Sequence, residues 1–186
     1  MEVYLIRHTK TDITPGLIYG RTDVPLAGSF AAEMAVIRPK LPANFDAVYS
    51  SPSRRCVQLA EQIASAITTD ERIYELNFGK WEGQTWDTID RQASELWMQD
   101  FVNNAPPDGE TLVQMQSRVQ AFWNELRQQP HERVAVVTHG GVIRLLLATE
   151  WQLPLTSLFE IRVEYGDVFV IVVSGQEPDT TMTNTD

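Results

Sequence analysis

Val134-Ala135-Val136-Val137-Thr138-His139-Gly140-Gly141 is an unbroken apolar run that ends in a polar pair and two glycines. The run does not alternate, so it reads as a strand buried on both faces. Residues 141–151 then follow as an apolar helix. Strand, short junction and helix together are the repeating unit of a parallel α/β sheet.

The same order recurs upstream. Residues 3–6 form a strand candidate, and residues 29–37 read as a helix closed by Pro39 and Pro42. Asp46-Ala47-Val48-Tyr49 is a second strand. Ser51-Pro52 marks a helix start after it, since proline is tolerated in a first turn. Apolar residues recur at helical spacing over 57–67, and Thr68-Thr69 is a short edge strand. Residues 71–84 are loop-like and rich in Gly, Trp and Glu. A helical pattern over 85–103 is broken at Pro106-Pro107-Asp108-Gly109, and 111–127 is a strong amphipathic helix. Residues 159–163 and 168–173 flank Tyr165-Gly166-Asp167 and read as a hairpin. The expected fold is α/β: a mainly parallel sheet between helical layers, with an antiparallel edge. One domain over 1–174 and a polar C-terminal tail over 175–186 complete the expected organisation.

The chain has 186 residues and a formal net charge of −10. Such a balance argues against a general nucleic-acid or anionic-membrane binder, which selects for basic surface. Residues 1–55 nevertheless hold seven basic and five acidic side chains, and 12 of the 15 cations are arginine, whose planar fork suits carboxylate and phosphate. Cys56 is the single cysteine and sits in an apolar helical stretch, so it reads as a small buried hydrophobe. Met1-Glu2-Val3 starts no basic, apolar leader, and no run of about 18 apolar residues occurs. A cytoplasmic protein acting on a small molecule, as monomer or homodimer, is the expectation.

Three strand-to-helix junctions carry unusual side chains: Arg7-His8-Thr9, Ser50-Ser51-Pro52-Ser53-Arg54-Arg55 and Thr138-His139-Gly140-Gly141. In an open α/β sheet, ligands bind beyond the carboxyl ends of the strands. Two histidines and two or three arginines can therefore converge despite 130 residues of separation. That set suits an anion, with Gly140 and Gly141 adding backbone donors. Metal binding ranks below it, because only His8 and His139 are candidates and no His-x-x-x-His or clustered Asp spacing occurs. The expectation is no metal and no cofactor. A Gly-x-x-x-x-Gly-Lys loop is also missing, which argues against a nucleotide triphosphatase.

Six elements in order resemble the histidine phosphatase superfamily, the phosphoglycerate-mutase-like fold. Leu5-Ile6-Arg7-His8-Thr9 is similar to its Arg-His-Gly signature, with Thr9 where glycine is usual. Tyr19-Gly20-Arg21-Thr22-Asp23-Val24-Pro25-Leu26, Ser50-Ser51-Pro52-Ser53-Arg54-Arg55, Glu75-Leu76-Asn77-Phe78-Gly79-Lys80-Trp81-Glu82-Gly83, Asp108-Gly109-Glu110-Thr111 and Val137-Thr138-His139-Gly140-Gly141 resemble the elements that follow. The resemblance implies a three-layer α/β/α fold and a phosphohistidine formed on His8. It implies that Arg7, Arg55 and His139 hold the phosphoryl oxygens, with Gly140 and Thr14 as further phosphate-binding candidates. Glu75 is implied as proton donor to the leaving alcohol. Arg54 and Arg55 compete for one role, since successive helical residues point about 100° apart, and motif register picks Arg55. Arg21, Tyr19 and Trp81 are expected at the substrate rim.

Only 63 residues separate Glu75 from His139, fewer than the mutases of this superfamily carry, which favours a plain phosphatase. Compact size and the Tyr-Gly-x-x-Asp-x-Pro-Leu and Phe-Gly-x-Trp-Glu patterns most resemble the alpha-ribazole phosphatase branch. That branch removes a 5′-phosphate late in cobalamin assembly. A broad-specificity sugar- or nucleotide-phosphate phosphatase is the alternative, with a mutase or a non-catalytic phosphate-binding module behind it. Trp81, Trp86, Trp97, Phe78 and Phe101 lie in the segment expected to roof the site.

Overall fold

A computed structural model describes residues 1–173. Its centre is a five-stranded sheet of order β3-β2-β4-β1-β5, built from β1 (Glu2–Arg7), β2 (Ala47–Ser50), β3 (Thr68–Thr69), β4 (Arg133–Thr138) and β5 (Val168–Val172). β4 pairs parallel with both β1 and β2, β3 is parallel to β2, and β5 runs antiparallel along β1. The mainly parallel sheet with an antiparallel edge is the architecture expected from the sequence.

β4 explains why the sheet needs cover on both sides. Its alternate side chains point to opposite faces, and all of residues 134–138 are buried. Val134 and Val136 join one core with α4 (Leu112–Leu126) and α5 (Gly140–Glu150). Ala135 and Val137 join the other, with α1 (Phe30–Ile37) and α2 (Arg54–Ala60). Each fully buried Val, Leu or Ile adds about 1.5–3 kcal/mol relative to an exposed one. The first core is the larger and includes fully buried Trp123 and Met115. α4 begins with a reciprocal capping box between Thr111 and Gln114. Cys56 is free and buried among the second core's residues.

Three expectations need correction. The hairpin is absent: residues 155–160 form a 3₁₀ segment, and residues 168–172 pair with β1 rather than with 159–163. A partner strand whose Val3, Leu5 and Ile6 are fully buried outcompetes the local turn. Helix α2 stops at Ala60, so residues 61–67 carry helical spacing without forming an α-helix. Within 85–103 only α3 (Arg91–Gln99) is α-helical, capped by the Asp90 side chain. The predicted tail, 175–186, lies outside the described residues.

Register places the three unusual junctions side by side. Arg7 stands opposite Thr138, and Ser50 opposite Val137. His8 N–H donates to the Thr138 carbonyl at 3.1 Å and Ser51 N–H to the Val137 carbonyl at 2.9 Å. Hydrogen bonding thus continues one residue past the strands and locks the polar ends together.

Candidate active site

Beyond those strand ends lies a cavity of about 190 Å³, whose walls include Arg7, His8, Arg55, Glu75, His139 and Arg144. The rings of His8 and His139 meet edge to face with centroids 5.3 Å apart. Residues 131 positions apart therefore share one wall.

His8 is 2% exposed. Its Nδ1 lies 2.8 Å from the Thr9 carbonyl oxygen, which can only accept, so Nδ1 carries the proton and Nε2 keeps its lone pair. Burial and then the Arg55 charge push its pKa down to about 3, with Arg7 adding to the effect. The ring is a neutral imidazole in the orientation a nucleophile requires. Thr9 holds this geometry without strain: positive φ outside glycine occurs, among the described residues, only at Asp108 and Gln152.

His139 begins the turn into α5. Its Nδ1 lies 3.1 Å from Arg55 Nη2 and its Nε2 2.8 Å from Ser51 Oγ. Guanidinium can only donate, so Nδ1 accepts and the proton sits on Nε2, which donates to Ser51. Burial, Arg55 and then His8 hold the His139 pKa well below the ordinary histidine value.

The arginines are fixed by backbone carbonyls. Arg55 is fully buried and donates to the carbonyls of Thr22 and Gly20 at 3.0 and 2.5 Å. Arg7 Nη1 donates to the Val163 carbonyl at 2.7 Å, and its guanidinium stacks 3.9 Å over the Tyr165 ring. Neither is paired with a carboxylate among the described residues, and the Nε of each is buried without a partner. An unmet buried donor costs about 1–3 kcal/mol, so two arginines left this way form a cavity tuned to an anion. Arg54 instead is exposed and lines a separate groove with Asp23 and Glu61. Gly140 packs against Arg7: a Cβ there would stand 3.4 Å from the Arg7 Nε.

Glu75 enters from the loop after β3. Its carboxylate accepts from Leu76 N–H at 2.9 Å and from Gly141 N–H, in the first turn of α5, at 3.0 Å. The Gly141 N–H is one of the donors that the first turn of a helix leaves without an intrahelical partner. Glu82 ties this loop to the segment holding Arg55, accepting from Phe78 N–H and Arg21 N–H at 3.1 Å and from Thr22 N–H at 2.7 Å.

Not every expected residue reaches the cavity. Tyr19 does, and its hydroxyl bonds Tyr165 at 2.8 Å. Thr14 does not: it is exposed on a neighbouring groove with Lys10 and Ile13. Trp81 is 3% exposed and belongs to the core, so it forms no rim. Arg21 is exposed beside Glu110, 3.7 Å away, and outside the cavity wall. Two polar residues of the wall are not among those expected from the sequence. Arg144 stands one helical turn beyond Gly141 and donates to the Ile161 carbonyl at 2.8 Å; that spacing was its available signal. Tyr165 was assigned to a hairpin turn and instead stacks on Arg7. Among the described residues no group of three or more His, Cys, Asp or Glu is placed to hold a metal. No described helix is long and apolar enough to cross a membrane.

A model of the histidine phosphatase superfamily (branch 1) matches residues 3–186. A protein of Proteus mirabilis named "Probable phosphoglycerate mutase GpmB" is 34% identical over 175 residues, covering 88% of this chain and 80% of the relative. The adenosylcobalamin/alpha-ribazole phosphatase of Salmonella typhimurium is 28% identical over 176 residues, 89% of this chain and 87% of its own. The crystal structure of the alpha-ribazole phosphatase from Shigella flexneri superposes with a TM-score of 0.86 at 27% identity, covering 94% of this chain and 91% of that one.

Proposed function

The chain belongs to the histidine phosphatase superfamily, branch 1, and is a phosphatase; from that premise we propose that it hydrolyses phosphomonoesters through a phosphohistidine on His8. The observation that carries this is a neutral His8 with its Nε2 lone pair unengaged, set between the fully buried Arg55 and the half-buried Arg7, neither of which has a carboxylate partner among the described residues.

In the first step His8 Nε2 attacks phosphorus, an N–P bond forms, and the P–O bond to the leaving alcohol breaks. Protonated Glu75 gives its proton to the departing oxygen. In the second step water attacks phosphorus, passes a proton to the Glu75 carboxylate, and the N–P bond breaks to release phosphate. Arg7 and Arg55 hold the phosphoryl oxygens. His139, whose Nδ1 accepts from Arg55 and whose Nε2 donates to Ser51, orients the Arg55 guanidinium rather than gripping the phosphate itself, and Gly140 keeps the backbone close to Arg7. Positioning and charge stabilisation dominate phosphoryl transfer, and both are built into this cavity before substrate arrives.

The substrate we propose is alpha-ribazole 5′-phosphate, in the nucleotide-loop steps of cobalamin biosynthesis in the cytoplasm. Support comes from the names of the Salmonella and Shigella relatives. A broad-specificity sugar- or nucleotide-phosphate phosphatase is the second reading, favoured by a wall that holds few polar side chains beyond the phosphate cradle. A panel of phosphomonoesters compared by kcat/KM separates them. A clear preference for alpha-ribazole 5′-phosphate supports the first reading, and a flat profile replaces it with the second.

A further inference from the structure

The catalytic cavity does not end at the phosphate cradle. Phe78 and Phe159 also form part of a second cavity of about 500 Å³, completed by Trp86, Ser94, Trp97 and Met98. The catalytic cavity alone, at about 190 Å³, falls below the roughly 300–1,000 Å³ usual for small-molecule sites. Together the two fall within that range.

Position gives the annex its direction. Phe78, which lines both cavities, shares the catalytic wall with Glu75, the group proposed to protonate the leaving oxygen, and that shared wall is what we take to place the annex on the leaving-group side. Its walls are aromatic and interlocked: Phe78 and Trp97 have ring centroids 6.4 Å apart, and Trp86 and Trp97 5.9 Å. Trp97 is buried and rigid, yet Trp86 is 46% exposed, Phe159 58% and Met98 67%. Ser94, Trp97 and Met98 share one face of α3 at i, i+3, i+4 spacing. A rigid aromatic floor, an exposed apolar rim and an adaptable methionine suit a flat apolar ring. Charged side chains are missing from this wall, so a leaving group that carries a carboxylate, an ammonium or a second phosphate finds no ionic partner on it.

We propose that this annex is the leaving-group subsite, and that the enzyme selects phosphomonoesters whose alcohol carries a flat apolar ring system. The proposal rests on the phosphatase reading of the adjoining cavity. It names a chemical class, and any ring of that kind satisfies it.

The test compares 2-(1-naphthyl)ethyl phosphate with ethyl phosphate, two alkyl esters whose leaving alcohols are close in intrinsic reactivity. We expect kcat/KM for the naphthylethyl ester to exceed that for ethyl phosphate by at least tenfold in the wild type. Trp86→Ala and Met98→Ala, which line only the annex, should each lower that ratio severalfold and leave ethyl phosphate turnover unchanged. A wild-type ratio near one, or a ratio that neither variant moves, overturns the proposal. So does a variant that changes sedimentation behaviour while the ratio stays fixed, since the annex would then cover a partner. Failure of the phosphohistidine reading looks different. In that case an alkaline quench, under which a histidine N–P bond survives, traps no phosphoryl-enzyme from either ester, whatever their relative rates.

Discussion

Arg118 on α4 donates from Nη2 to the backbone carbonyl of Glu75 at 3.0 Å, and so grips the catalytic loop without touching the cavity. The same guanidinium donates from Nη1 to the carbonyls of Arg72 and Tyr74 at 2.8 and 2.7 Å, and it pairs with Glu110 at 2.5 Å. Glu110 in turn accepts from Asn77 N–H at 2.9 Å. One partly buried ion pair, with side chains 16% and 13% exposed, therefore fixes the backbone on both sides of Glu75. Removing one member of a fully buried pair costs about 3–5 kcal/mol, which sets the upper bound for this one. Misplacing a catalytic group by about 1 Å costs about a hundredfold in rate.

We therefore expect Arg118→Met to lower kcat by about ten- to a hundredfold with KM little changed, and to lower Tm as well. Arg118→Lys restores the charge but not the fork, so it should recover stability more than kcat. A variant with wild-type kcat and reduced Tm would show that Arg118 serves the fold alone.

Arg55 and Arg54 make a second, paired test. Arg55 donates to two carbonyls and to His139, whereas Arg54 faces solvent beside a different groove. Removing a preorganised donor to developing charge costs about 10²–10³ in rate. Arg55→Ala should show at least that loss in kcat/KM on any phosphomonoester, and Arg54→Ala should stay within about threefold of wild type by the same scale. The reverse ranking would reassign the phosphate cradle.

The two buried histidines set a pH dependence of stability. His8 has its pKa held at about 3 by burial and the nearby arginines, against 6.5 in the unfolded chain. Above pH 6.5 both states are neutral and the folding contribution is complete. As pH falls from 6.5 toward 3 the unfolded chain takes up a proton that the folded chain refuses, and stability drops by up to about 1.4 kcal/mol per pH unit. His139, lowered in the same direction, adds its own share. Denaturant titration between pH 7 and 4 should show this fall, and His8→Gln should flatten part of it. The imidazole carbon protons of His8 should show no titration in NMR between pH 8 and 5. A midpoint near 6.5 would contradict the buried, neutral nucleophile.

Much of this site could be read from the chain because its parts sit at strand ends. A strand that is apolar and then abruptly carries Arg-His or Thr-His announces where its side chains emerge. Parallel register brings such ends together whatever their separation. Arg118 and Arg144 are harder to read for the opposite reason: both lie on helices, where spacing locates a face, as it does for Arg144 one turn beyond Gly141, but not what that face meets. Trp81 shows the same limit, since its motif neighbourhood suggested a rim and packing against Trp97, at 5.8 Å between ring centroids, puts it in the core. The lost hairpin over 159–173 reflects competition that local turn signals cannot register. β1 offered a ladder in which Val3, Leu5 and Ile6 are fully buried, and residues 168–172 took it.

Gly141 offers the sharpest separation of catalysis from stability. It lies in the first turn of α5, where its N–H donates to Glu75 at 3.0 Å. A Cβ at this position would collide with the Glu75 carboxylate and approach Met115 Cε to 3.2 Å. Both neighbours are ends of flexible side chains, so the fold can yield there at little cost. Alanine also favours a helix over glycine by about 1 kcal/mol. Gly141→Ala should accordingly keep or raise Tm while lowering kcat by at least tenfold, because the displaced carboxylate no longer meets the leaving oxygen. The loss should be larger for an alkyl ester, whose poor leaving group needs the proton, than for 4-nitrophenyl phosphate, whose leaving group departs without it. Equal losses on both esters would mean that the methyl group disturbs the phosphate cradle instead, and unchanged kcat on both would remove Glu75 from the proposed role.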